Sequence, residues 1–83
     1  MHADEQGLVD AIAAAILAHL QAHPLAADSA DGVARWWLGP AHSNVSVEQV
    51  ERALELLVSR RALRRLSLMD GTILYSLATQ TRQ

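Results

Sequence analysis

The chain has 83 residues, is 51% hydrophobic, contains no cysteine or lysine, and carries a formal net charge of −2. That length supports one small domain near the lower limit for an unaided core, and the Ala- and Leu-rich apolar fraction argues against disorder. Without cysteine there is no disulfide framework and no thiolate metal site. The longest apolar run, Ala11 to Ala18, falls well short of the roughly 20 residues that a membrane span needs. The acids Asp4, Glu5 and Asp10 stand where a secretory signal has its basic flank, so a cytoplasmic location is expected.

The charge is unevenly placed. Residues 1–31 hold five acids and no Arg or Lys, whereas residues 60–83 hold five Arg against the single acid Asp70. The whole-domain basic field that usually marks a nucleic-acid binder is absent.

In chain order, residues 1–7 read as an N-terminal arm. The periodicity then predicts a helix from Leu8 to His23, because Leu8, Ile12, Ile16 and Leu20 recur every four residues. Pro24 ends it, since a proline disfavours helical geometry in the residue before it. A second helix is predicted over Ala30–Leu38, with Asp28 or Ser29 as N-cap and Asp31 at the favourable end of the helix dipole. Ala30, Val33, Ala34, Trp37 and Leu38 share one face, and Gly39-Pro40 stops the helix.

Ser46-Val47-Glu48-Gln49 reads as a capping box opening a third helix, with Val45 and Val50 placed as a hydrophobic staple. Val47, Val50, Leu54, Leu57 and Val58 form its apolar face, and it should end near Arg60 or Arg61. The period then changes from helical to alternating. Leu66 and Leu68 alternate with Arg65 and Ser67, then Ile73, Tyr75 and Leu77 alternate with Thr72, Leu74 and Ser76 about the Asp70-Gly71 pair. That is a strong hairpin signal. The predicted fold is mainly α with a small β-hairpin, one domain over residues 8–78 with a tail over 79–83.

Three helices followed by a two-stranded hairpin, carried by Ala30–Leu38, the connector Gly39–Val45, the capped helix Ser46–Arg61 and the hairpin Leu63–Leu77, resemble the winged helix-turn-helix superfamily. The resemblance covers nearly the whole chain and is specific as an architecture. It implies a three-helix winged helix-turn-helix domain of the small bacterial kind, a class that holds transcription regulators as well as modules that bind only protein. In the DNA-binding members the N-terminal half of the third helix enters the major groove and the hairpin tip touches the backbone. In this chain those places are Asn44, Ser46, Glu48, Gln49 and Arg52, with Asp70 and Gly71 at the tip.

Judged chemically, this helix is poorly equipped for a groove. Base edges and phosphates call for Arg, Lys, Asn, Gln, Ser or Thr, whereas Glu48, Glu51 and Glu55 would repel phosphate. The tip carries an acid as well. The cluster Arg60, Arg61, Arg64 and Arg65 lies at the far end of the third helix, where it suits the helix C-terminus or an acidic partner.

Arg35-Trp36-Trp37 is the most informative motif. Neighbours on a helix point about 100° apart, so one core stripe cannot take both indoles. Trp37 matches the stripe, and Trp36 is left either to cover the rim of the core or to stand out as an aromatic anchor. His19 and His23 share a helical face but have no third ligand at metal spacing, and read as solvated surface histidines. No phosphate loop, nucleophile elbow or carboxylate pair is present, and so small a domain has little room for an enclosed substrate pocket. No enzyme activity, cofactor, metal or small-molecule substrate is expected.

Two functional readings follow. The first is a protein-interaction module that binds a partner protein or itself, with Arg35 and Trp36 as anchors and Glu48, Glu51, Arg52 and Glu55 as the polar rim. The second is a small DNA-binding regulator that uses Asn44, Ser46, Gln49 and Arg52, with the hairpin as its wing.

Overall fold

The computed structural model describes residues 3–78. Three helical segments and a small three-stranded antiparallel sheet follow in the order α1 (Ala3–Ala22), β1 (Ala27–Asp28), α2 (Ala30–Gly32, running on as a π-helical turn over Val33–Trp37), a 3₁₀ turn (Pro40–His42), α3 (Val47–Ser59), β2 (Leu63–Ser67) and β3 (Ile73–Leu77).

Helix α1 begins at Ala3, five residues before the expected start at Leu8, so residues 3–7 of the expected arm belong to the helix. Residues 1–2 and the tail at 79–83 lie outside the described residues. A bond from Gln6 Nε2 to Asp10 Oδ1 (3.1 Å) links successive turns of this early part, whose polar side chains hide it from a hydrophobic-periodicity reading. Ile12, Ile16 and Leu20 are fully buried, as their spacing implies.

Strand β1 is not legible in the sequence. It is only two residues long, pairing Ala27 with Ser76 and Asp28 with Tyr75, and it adds a third strand beside β3 to give the order β1-β3-β2. It also delivers the cap of α2. The Ser29 hydroxyl accepts the Gly32 N–H at 3.2 Å, and the Asp28 carboxylate accepts the Ser29 N–H at 2.8 Å. That carboxylate lies over Gly32, where an added Cβ would come within 2.0 Å of its oxygen, so a larger residue there would displace Asp28 from its bond to the Ser29 N–H.

The second helix departs from the regular α-helix predicted over Ala30–Leu38: one α turn is followed by the wider π turn, and Leu38 is extended. Val33 and Trp37 still point inward and close the core against α1.

Helix α3 starts with both halves of the capping box. The Ser46 hydroxyl accepts from the Gln49 N–H (3.1 Å), and Gln49 Oε1 accepts from the Ser46 N–H (2.9 Å). Val50, Ala53, Leu54 and Leu57 form its buried face. At the other end the Ala62 N–H reaches the Leu57 carbonyl and the Arg61 N–H the Val58 carbonyl, both at 2.9 Å. This is a Schellman closure, and its left-handed position is held by Arg61 at φ 64° where glycine is usual.

Strands β2 and β3 pair Leu63 with Leu77, Arg65 with Tyr75 and Ser67 with Ile73 on the face toward the helices, where Leu63 and Tyr75 are buried. Leu66, paired with Leu74, belongs to the opposite face and is 49% exposed. The apolar alternation of β2 therefore does not mark its core side. Leu63 alone anchors that strand, because Arg65 takes the next inward position for a polar contact with α3. The Asp70-Gly71 turn forms as expected, with Gly71 at φ 93° and the Thr72 N–H donating to Asp70 Oδ1 at 2.9 Å.

An L-residue in the left-handed region costs roughly 1 kcal/mol that glycine does not. Arg61→Gly is therefore expected to raise unfolding free energy by about 0.5–1 kcal/mol in urea denaturation, even though glycine loosens the unfolded chain. A loss of stability would show that Arg61 makes a contact worth more than the strain it relieves.

Candidate functional site

The Arg35-Trp36-Trp37 segment divides as its geometry demands. Trp37 is 8% exposed and stacks on His19 of α1, with ring centroids 4.7 Å apart and planes tilted by 17°. Trp36, next in the chain, is 74% exposed. His19 is thus half-buried against an indole, a correction to the reading of both histidines as solvated; His23 is exposed, with its ring 4.7 Å from that of His19. Burial, and secondarily the neighbouring His23, hold the His19 imidazolium below its ordinary pKa. Among the described residues no group of three or more His, Asp or Glu comes together as a metal site.

Trp36 borders an open groove of about 710 Å³, floored by Ala34, Leu38, Pro40, Val45 and Val47. Gly39-Pro40 and the 3₁₀ turn fold the connector back beside α2, which brings Val45 and Val47 next to the π turn. Arg35 is exposed at the rim and bonds Asp31 Oδ2 at 3.1 Å. A second, smaller depression of about 280 Å³ continues past Asp31 and Val47 to Glu51, Gly71 and Tyr75, linking the groove to the hairpin. Both are open to solvent. π turns of this kind are frequent at functional sites.

The polar residues assigned to the partner-binding reading separate in the structure. Glu48, Glu51 and Arg52 are exposed on one face of α3. Glu55 shares that face but is committed within the domain: its Oε2 accepts from Arg65 and from the Tyr75 hydroxyl (3.2 Å). It is a tie between α3 and the sheet rather than a free rim carboxylate. The ion pair raises the Arg65 pKa, chiefly through the hydrogen bond to Glu55, while burial is the main cause of the raised Tyr75 pKa. Arg65 thereby leaves the basic cluster, whose other members, Arg60, Arg61 and Arg64, are exposed.

Of the residues assigned to DNA reading, Ser46 and Gln49 each use a side-chain acceptor, Oγ and Oε1, in the capping box. Asn44 and Arg52 remain exposed. At the hairpin tip the Thr72 N–H and hydroxyl hold Asp70 below the usual carboxylate range, so the tip stays anionic, with Met69 fully exposed beside it. No helix among the described residues is long and apolar enough to cross a membrane. No protein-family model, curated protein or solved structure matches this chain.

Three features of the site lie beyond the sequence reading: the His19–Trp37 stack, the Glu55–Arg65–Tyr75 tie, and the apolar floor supplied by the connector. Only the first left a trace, since His19 lies three residues from Ile16 on the core side of α1.

A histidine whose folded pKa is depressed binds fewer protons in the native state than in the unfolded chain. Its contribution to stability is complete above the ordinary value of 6.5 and is lost as pH falls through 6.5 toward the folded value. Urea denaturation at pH 7.5 and pH 5.5 should therefore show a smaller pH-dependent loss for His19→Gln than for the wild type. Equal losses would contradict the role given to this stack.

Proposed function

We propose that this chain is a non-catalytic interaction module on a winged-helix scaffold, whose α2–α3 face docks on protein with Trp36 as its anchor. The element order, in which β1 joins the hairpin beside β3 and α3 lies between β1 and β2 in the chain, supports the scaffold. The observation that carries the docking role is Trp36, an indole left 74% exposed beside an apolar groove while its neighbour is buried. Tryptophan and arginine dominate the energetic centres of protein interfaces, and Arg35 stands one position away. Truncating so exposed a side chain should hardly affect folding.

The charges favour protein over a duplex. A helix that enters the major groove would bring Glu48 and Glu51 toward phosphates, with Ser46 and Gln49 already engaged at the cap. The hairpin tip would bring an ionised Asp70 where a wing normally offers a cation.

Titration of a labelled mixed-sequence duplex at about 50 mM salt should give no saturable binding; affinity that falls steeply with added salt would overturn the proposal. Trp36→Ala should change unfolding free energy by less than about 0.5 kcal/mol, whereas Trp37→Ala should cost about 3–5 kcal/mol. A Trp36→Ala chain that unfolds would place Trp36 in the core and remove the anchor.

A further inference from the structure

Strand β2 is an edge of the sheet, and the register shows which of its backbone groups are unpaired. The Ala78 N–H donates to the Ala62 carbonyl (3.0 Å) and the Leu68 N–H to the Thr72 carbonyl (2.7 Å). In an antiparallel ladder the bonded pairs alternate, so Arg64 and Leu66 also direct their N–H and C=O groups to β3. Leu63, Arg65 and Ser67 turn theirs the other way. Leu63 is buried, whereas Arg65 and Ser67 are exposed and present an open edge. Two residues are enough to extend this sheet, since β1 holds the far side of β3 with only Ala27 and Asp28.

The side chains beside that edge specify what it can accept. On the face away from the helices Arg64, Leu66 (49% exposed) and Leu68 (40% exposed) stand at alternate positions. Arg60 and Arg61 are exposed just before β2 begins, so the Arg64 end of the strand is cationic. Glu55 matches the charge of Arg65, but among the described residues no acid pairs with Arg60, Arg61 or Arg64. Asp70 lies at the opposite end, in the hairpin turn.

We infer that β2 takes up an extended, acidic segment of a partner protein as a fourth strand, with apolar side chains toward the hairpin tip and carboxylates toward Arg64. Main-chain bonds to Arg65 and Ser67 hold such a strand, and its alternate side chains give selectivity. Run antiparallel, as both pairs in this sheet do, the segment has its apolar residues first and its acids last. Apolar side chains opposite Leu66 and Leu68 cover surface that water now touches, and a carboxylate opposite Arg64 forms a charge-assisted bond. A second copy of β2 is a poor occupant, because Leu63–Ser67 carries Arg64 and Arg65 and no acid. Charge on an edge strand deters like edges from pairing, and the same charge selects an acidic one. This surface is separate from the Trp36 face: none of Arg64, Leu66 and Leu68 lines the groove or the depression that continues it.

Fluorescence anisotropy with a short labelled peptide tests this, its sequence valine alternating with threonine and then a run of aspartates. It should bind the full chain saturably at about 50 mM salt and at least about fivefold more weakly at about 300 mM, as exposed charges are screened. The counterpart ending in lysines should not bind. Arg64→Glu should weaken binding about tenfold or more, with circular dichroism unchanged. Main-chain pairing is tested on the wild type by N-methylating alternate residues of the peptide. Methylation of one alternate set should abolish binding and of the other should leave it, since only every second amide faces β2. Hydrogen exchange should find the Arg65 and Ser67 amides open in the free chain and protected in the complex, with Arg64 and Leu66 protected in both.

A peptide that does not bind overturns the inference. Two methylated peptides that bind alike also overturn it, because charge attraction alone would then account for the affinity. New protection confined to α2 and α3 would place the peptide in the Trp36 groove, and Arg65 and Ser67 amides already protected in the free chain would show the edge taken by a second copy; either result refutes a β2 site. Should Arg64→Glu fail to fold, the methylated peptides and the exchange pattern decide the matter on the wild type. A failure at this edge leaves the docking role of Trp36 standing, since that role rests on a different face.

Discussion

The stack of Trp37 on His19 is the contact on which the proposed docking surface depends. It pins the second helical segment to α1, and two adjacent indoles cannot both enter one core. Once Trp37 is buried beside Val33, the chain has no inward place for Trp36. The π turn and the Gly39-Pro40 stop then fold the connector back, and the side chains that fill the space beside Trp36 form an open apolar floor. The exposed indole is thus a geometric consequence of the buried one.

A second constraint holds α3 to the sheet. Strand β2 has one buried apolar side chain, Leu63, and its next inward position is Arg65, so apolar packing alone secures little of it. Glu55 makes up part of the difference by accepting from Arg65 and Tyr75. With side chains about half exposed, that ion pair adds little to stability, and its main effect is to set where β2 and β3 lie against α3. The same tie neutralises the centre of the exposed α3 face, where Glu55 is matched by Arg65.

Much of this was legible in the sequence. The capping box at Ser46, the helix stops at Pro24 and Gly39-Pro40, and the Asp70-Gly71 turn are local signals, in which a few residues satisfy their own backbone groups, and each forms where it was expected. The division between Trp36 and Trp37 followed from helical periodicity. What escaped were relations between distant residues. Strand β1 has two residues and no alternation to show, Glu55 finds Arg65 only after the sheet has folded against α3, and His19 looks like a surface residue until Trp37 arrives beside it. The exposure of Leu66 has a related cause: alternation fixes which residues share a face of a strand, but the register and the neighbouring helix decide which face is buried.

The central claim, that one indole is locked in the core and its neighbour is free, is open to direct measurement with single-tryptophan chains. Trp37→Phe leaves Trp36 as the only indole, and Trp36→Phe leaves Trp37. Acrylamide quenching should be run at low protein concentration. Trp36 should then emit as a water-exposed indole and be quenched nearly as readily as in the urea-unfolded chain, while Trp37 should emit to the blue and be strongly protected. Equal protection of the two, or a Trp37 quenched as easily as Trp36, would contradict the account.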